Sequence, residues 1–283
     1  MMRSSMYCPV CGERRDCIQV FVRGIFPILR CSACSVGMTQ LPENFSAAGI
    51  YTEAYFQGGQ ADGYSDYVGS ESVLRGEFRT ALQELRSAGC SSGKLLELGC
   101  AYGFFLAEAI AFFEVQGIEV SDSAVRFCRS RGFDVEQGTL TAEYVGRSAP
   151  FDAVVMLDVV EHLMEPDRVM ELVHRAMKPG GKLMLTTGDW ESGLSRIMGR
   201  NWRLMTPPQH TFFFSPRTMS AMLERVGFDV IACRKPWKTV PFGLITYQLG
   251  RIMGMSRPPR LSGIHFGIPI NLFDAFRMVA VRR

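Results

Sequence analysis

From residue 94 onward, short apolar runs alternate with segments of helical spacing, and this rhythm restricts the fold more than any other feature. The runs fall at 94–98, 114–119, 134–136, 151–157, 182–187, 228–234 and 276–281. Helix-length stretches at 104–112, 123–131, 167–177 and 216–226 separate them. Strands joined through helices cross over right-handedly into a sheet covered on both faces. The pattern therefore predicts an α/β fold: a Rossmann-like, seven-stranded, mostly parallel sheet with helices on both faces. A further amphipathic helix is expected over 72–88, where Val73, Leu74, Phe78, Leu82 and Leu85 recur at helical spacing. Two long connections, 189–214 and 235–271, break the rhythm, and connections of that length carry function or lack order.

Composition narrows the class. With 47% hydrophobic and 21% charged residues the chain can build a core. Its net charge, 31 − 28 = +3, is too weak to mark a nucleic-acid binder. No apolar run approaches the roughly 18 residues of a spanning helix, and the start lacks a basic-then-apolar leader. The nine cysteines are read as reduced thiols, with a cytoplasmic location expected.

Four of those cysteines form two CxxC pairs, Cys8/Cys11 and Cys31/Cys34, with 19 residues between the pairs. Two tight turns that each present two thiolates complete a tetrahedral set around Zn²⁺. Four thiolates leave no open coordination position, so the expected metal is structural, and it would largely fold a module this small. The expected division is a zinc ribbon over 1–40, a linker and cap helix over 41–88, and a catalytic domain over 89–283.

The segment Leu95-Leu96-Glu97-Leu98-Gly99-Cys100-Ala101-Tyr102-Gly103 reads as a strand running into a small-residue turn and then a helix. Such a turn lets backbone approach a ligand at the carboxyl end of a sheet. Glu119 closes the next strand 22 residues after Glu97, where a carboxylate can accept both hydroxyls of a ribose. The glycines are not spaced GxGxxG, which argues against a dinucleotide. These residues resemble the class I S-adenosylmethionine-dependent methyltransferases of types 11 and 23. Glu97 to Gly103 looks like their first motif, with Ala101 where glycine is usual, and Gly117-Ile118-Glu119-Val120-Ser121 looks like their ribose-binding motif. Gly138-Thr139-Leu140 falls where the family contacts adenine. Phe151 to Leu163, containing Leu157-Asp158-Val159, resembles the fourth-strand motif, and Lys178 to Leu183 the turn before the fifth strand. The resemblance implies S-adenosylmethionine as cofactor, held by Glu97, Gly99, Cys100, Ala101, Gly103, Phe104, Glu119, Val120, Thr139, Leu140, Leu157, Asp158 and Val159.

On the acceptor side, His162 in Glu161-His162-Leu163 reads as a base, a substrate-positioning residue or a brace for its loop. His210, on a loop with Pro207-Pro208, is the other candidate base. Its P-x-H-x-x-F-F-S surroundings are similar to segments in sugar- and glycan-linked members of the family. With the ribbon, this implies a small-molecule or carbohydrate-linked acceptor. Trp202 is the expected acceptor contact, while His174 and His265 default to structure. The apolar spacing of Phe242, Leu244, Ile245, Leu249, Ile252 and Met253 suggests a helix over the pocket, or one lying at a lipid surface. A zinc-ribbon ribosomal RNA methyltransferase and a non-catalytic cofactor-fold binder are the competing readings. The ribbon has a modest basic excess, but the Asn/Asp-Pro-Pro-aromatic motif of many amino-methylating enzymes is absent after the fourth strand, where Leu157-Asp158-Val159-Val160 stands; the intact Glu97, Gly99, Gly103, Glu119 and Asp158 argue against the second.

Overall fold

In the computed structural model, residues 3–42, 45, 67–148, 150–241 and 267–283 are described. The chain opens with β1 (Arg3–Cys8), β2 (Glu13–Arg23), β3 (Phe26–Cys31) and β4 (Gly37–Thr39), an antiparallel meander. Each CxxC pair sits in a turn. In the first, Gly12 N–H donates to the Cys8 carbonyl at 2.8 Å, with Gly12 at φ +75°. In the second, Ser35 takes φ +71° and donates to the Cys31 carbonyl at 2.9 Å.

Helix α1 (Glu71–Ser87) buries Val73, Leu74, Leu82 and Leu85, the stripe expected from spacing. There follow β5 (Gly93–Leu98), α2 (Phe104–Ala109), β6 (Phe113–Glu119), α3 (Asp122–Ser130), β7 (Asp134–Gln137) and α4 (Ala142–Arg147). Next come β8 (Phe151–Leu157), a 3₁₀ turn (Val160–His162), α5 (Pro166–Ala176), β9 (Met177–Gly188), α6 (Gly193–Met198) and β10 (Phe212–Phe213). The chain ends with α7 (Pro216–Val226), β11 (Phe228–Arg234), β12 (Lys238–Pro241), β13 (Gly267–Ile270) and β14 (Ala275–Arg282).

The main sheet has the order β11-β14-β9-β8-β5-β6-β7. β14 runs antiparallel to both neighbours, and the remaining pairs are parallel. Two boundaries differ from the expectation. The helix expected over 104–112 ends at Ala109, because the chain turns there to bring Phe113 into β6. The turn expected at 178–181 lies inside β9, where a register shift between Phe151 and Ala153 on β8 absorbs the extra residues.

The meander is welded to this body. β10 pairs with β4, giving a second sheet of order β1-β2-β3-β4-β10. Arg225 on α7 donates to the Pro9 carbonyl at 2.6 Å and pairs with buried Asp167 at 3.3 Å, and the Tyr7 hydroxyl reaches Asp167 at 2.6 Å. Val10, Leu29, Val36 and Met38 share one apolar core with Phe214, Met219, Met222 and Leu223. β12 and β13 pair at the edges of the last long connection, and the apolar helix and His265 expected there lie outside the described residues, as does most of 41–66.

Trp202 is a core residue. It is 2% exposed among Ile28, Trp190, Met205 and Phe213, and its indole N–H donates to Asp274 at 2.9 Å. This corrects the expectation that it touches the acceptor: a ring this large is placed by apolar burial, and its one polar atom is already used. Arg203 completes the Asp274 contact with two bonds of 2.9 and 2.8 Å. Burial pushes the Asp274 carboxyl up, but Arg203 and Trp202 outweigh it and hold the group below its ordinary value. Asp274→Ala should therefore lower stability by about 1–3 kcal/mol at neutral pH. A depressed carboxylate stabilises above its unfolded pKa and loses that contribution as pH falls through the folded value. Urea titrations should show the gap between wild type and variant closing as pH drops below the carboxylate range.

Candidate active site

The strand order reverses at β5, which pairs with both β6 and β8, and in open α/β sheets ligands are held at the carboxyl ends of the strands at such a switch point. The loop leaving β5 bends through three left-handed residues, Gly99 at φ +69°, Ala101 at +44° and Gly103 at +73°. A Cβ on Gly99 would lie 2.6 Å from Val159 Cγ2, so only glycine lets this loop pass the exit of β8. Ala101 adopts the conformation a glycine would take there. The Ala101 N–H donates to Glu119 Oε2 at 2.8 Å, and Ser121 N–H donates to Glu119 Oε1 at 2.8 Å.

Glu97 and Glu119 are both buried at the carboxyl ends of adjacent strands. Burial drives the Glu97 carboxyl well above its usual range, with Cys128 and Glu119 adding to it, and Glu97 Oε2 has no partner among the described residues. Burial also raises Glu119, against its backbone donors. Cys100 and Phe104 are buried behind the loop, and Phe104 stacks on Tyr67 at 5.3 Å. Thr139 and Leu140 follow β7, and Val120 stands 43% exposed beside Glu119. Leu157 ends β8 and leads into Asp158, itself left-handed at φ +56°. The thirteen expected cofactor residues therefore lie on the ends of β5, β6, β7 and β8 and in the turns that follow them.

Sequence reasoning missed a charged cluster beside Asp158. Lys238 on β12 pairs with Asp158 and lies 3.7 Å from Glu77 on α1. Arg277, 2% exposed on β14, donates to Thr186 Oγ1 at 3.1 Å and pairs with Glu84 at 3.3 Å and Glu77 at 3.9 Å. Arg277 left a signal: a lone charge inside the apolar last strand. Lys238 left none, because its partners come from distant parts of the chain.

His162 and His210 meet edge to face, ring centroids 4.6 Å apart. The 3₁₀ turn after β8 carries His162, whose Nδ1 lies 3.0 Å from the Gln209 carbonyl. His210 has its ring beside the Leu204 backbone. Its backbone is held by the meander: Thr39 Oγ1 donates to the His210 carbonyl at 2.7 Å, and Thr39 N–H to Thr211 O at 2.8 Å. Burial, then the neighbouring His162, pushes the His210 imidazole well below its ordinary value; burial lowers His162 too. Both rings are neutral near pH 7, and a base this weak is poorly matched by itself to a hydroxyl. Glu161 is buried between them and β9, where burial and then the Asp158 charge push its carboxyl up to about 8. His174 meets the Phe228 ring edge to face, with centroids 5.3 Å apart.

The four ribbon thiols converge. Cys8 and Cys34 Sγ lie 3.4 Å apart, Cys11 and Cys31 Sγ 4.0 Å apart, and all four are within 4.8 Å of one another. Ligands about 2.3 Å from a tetrahedral ion stand about 3.8 Å apart, so the set fits Zn²⁺. Burial, then the neighbouring Cys8, pushes the Cys11 thiol up to about 11.

A seven-stranded sheet with one antiparallel strand, an acidic glycine loop and a second acid on the adjacent strand defines a class I S-adenosylmethionine-dependent methyltransferase. The chain belongs to a methyltransferase-domain family whose profile matches residues 71–232. It is 31% identical over 157 residues to a ubiquinone biosynthesis O-methyltransferase of Pseudomonas aeruginosa, covering 50% of this chain and 67% of that one. A protein of the same description from Cupriavidus pinatubonensis is 25% identical over 207 residues, covering 68% and 76% of the two chains. The fold matches a SAM-dependent methyltransferase from Archaeoglobus fulgidus with TM-score 0.52 at 19% identity, over 74% of this chain and 94% of that one.

Proposed function

We propose that this methyltransferase acts on a hydroxyl of a small-molecule or carbohydrate-linked acceptor, with the residues around β5, β6, β7 and β8 holding S-adenosylmethionine and the ribbon holding one structural zinc. The observation that carries the acceptor assignment is the neutral His162–His210 pair beside Asp158. Relatives described as ubiquinone biosynthesis O-methyltransferases support transfer to oxygen.

The cofactor supplies a sulfonium methyl, already electrophilic, so the protein chiefly aligns the acceptor and excludes water. Glu119 shapes the loop through Ala101 and Ser121 and accepts the ribose hydroxyls. Asp158, paired with Lys238, lies at the methionine end. A hydroxyl must lose its proton as the methyl arrives, and the cluster of Glu161, His162 and His210 is where it does so, with both histidines as catalytic residues. Cys8, Cys11, Cys31 and Cys34 would hold the zinc, which would order the meander whose Thr39 bonds the His210 carbonyl.

Glu119→Ala should weaken S-adenosylmethionine binding by roughly 2–4 kcal/mol in calorimetry, since charge-assisted bonds to the ribose are lost. Unchanged affinity would show that the cofactor lies elsewhere. His210→Ala should keep cofactor affinity while turnover with a competent acceptor falls by roughly 10²- to 10⁴-fold. Normal turnover in that variant would sink the acceptor-side assignment. Metal analysis should find one zinc per chain that persists through dialysis and is lost in Cys31→Ser; freely alkylated thiols in the native protein would contradict this.

A further inference from the structure

We infer that Glu161, His162 and His210 form a binding site for one divalent cation of the Mn²⁺ or Fe²⁺ kind, separate from the four-cysteine site. The inference deepens the acceptor-side reading above and rests on it for its role, not for its existence.

Three features of the geometry point to it. One donor atom from each of the three side chains lies within 4.8 Å of the other two. Two imidazoles and a carboxylate are a donor set that suits these cations.

Second, both rings are arranged as metal-bound histidines are. His162 Nδ1 faces the Gln209 carbonyl at 3.0 Å and must carry its proton there, which leaves Nε2 as the nitrogen with the lone pair. The Leu204 backbone likewise faces the His210 ring. A backbone carbonyl on one nitrogen, fixing the tautomer and aiming the other, is the usual second contact of a metal-bound imidazole. Two rings bound at about 2.1 Å to one ion place their centroids about 4.6 Å apart at a right-angled N–metal–N geometry. The observed separation is 4.6 Å.

Third, Glu161 is only 4% exposed, yet its Oε2 has no partner among the described residues. A buried carboxylate oxygen without a donor is costly. Lys238, the nearby cation of the cluster, is already paired with Asp158. A bound cation supplies the missing partner for this oxygen.

Such an ion changes how the cluster acts, not where. The ring nitrogens face the ion, and a hydroxyl beside it is acidified more than a weak, neutral imidazole could manage. The O–H bond breaks with its proton passing to bulk water. The oxygen electron pair goes to the methyl carbon, and the carbon–sulfur pair returns to sulfur.

The test uses full-length, zinc-loaded protein with neither cofactor nor acceptor present, and Mn²⁺ as the probe. Electron paramagnetic resonance titration should show one Mn²⁺ bound per chain, and pulsed spectra should show two directly coordinated ¹⁴N nuclei. His210→Ala and Glu161→Gln should each weaken binding at least tenfold, while His174→Ala leaves it unchanged and all variants retain zinc. No Mn²⁺ bound by the wild type, or bound Mn²⁺ without nitrogen coupling, would overturn the site. Because the spectra need only wild-type protein, a variant that fails to fold does not rescue it. Protein that binds S-adenosylmethionine but no Mn²⁺ loses this inference and keeps the transferase reading.

Discussion

Glu119 holds the carboxyl-end edge of the main sheet together. Its carboxylate takes the backbone N–H of Ala101 on one oxygen and of Ser121 on the other, tying the loop after β5 to the exit of β6. That clasp lets a non-glycine residue sit left-handed in the loop, a conformation that by itself costs about 1–2 kcal/mol. The clasp also explains why Glu119 tolerates burial: two fixed donors offset the loss of water. Gly99 has the complementary task of letting the loop pass Val159 without a side chain.

The amino-terminal meander is built into the methyltransferase body rather than appended to it. β4 pairs with β10, and Thr39 reaches across to the His210 carbonyl and to Thr211, which in turn bonds the Glu161 carbonyl at 2.8 Å. Anything that orders the ribbon therefore orders the His210 backbone. Arg225, Asp167 and Tyr7 secure the other end, where the shared carboxylate pushes the Tyr7 phenol up to about 12.

Charge is concentrated on the opposite wall. Lys238, Glu77, Arg277, Glu84 and Asp158 converge from α1, β12, β14 and the exit of β8 into one network, with Arg277 buried and Glu77 nearly so at its centre. Buried charges survive only when paired. The network therefore requires all four elements to be in place, and it couples the last strand to Asp158 at the exit of β8.

Local pattern decided much of this. The seven strands of the main sheet sit where apolar runs occur, since a strand buried on both faces must be apolar throughout. The α1 stripe, the acids closing β5 and β6, and the two cysteine pairs are all features of a few consecutive residues, so periodicity and spacing expose them. What the linear pattern could not show is which distant residues share a space. Trp202 is a core ring because apolar burial and Asp274, 72 positions away, claim it. His162 and His210, 48 positions apart, become one unit because β10 leaves the methyltransferase body to join the ribbon sheet. Lys238 reaches Asp158 across 80 positions for the same kind of reason. Secondary structure follows from side-chain period and turn chemistry over short stretches, whereas the pairing of buried polar groups depends on the packing of the whole chain.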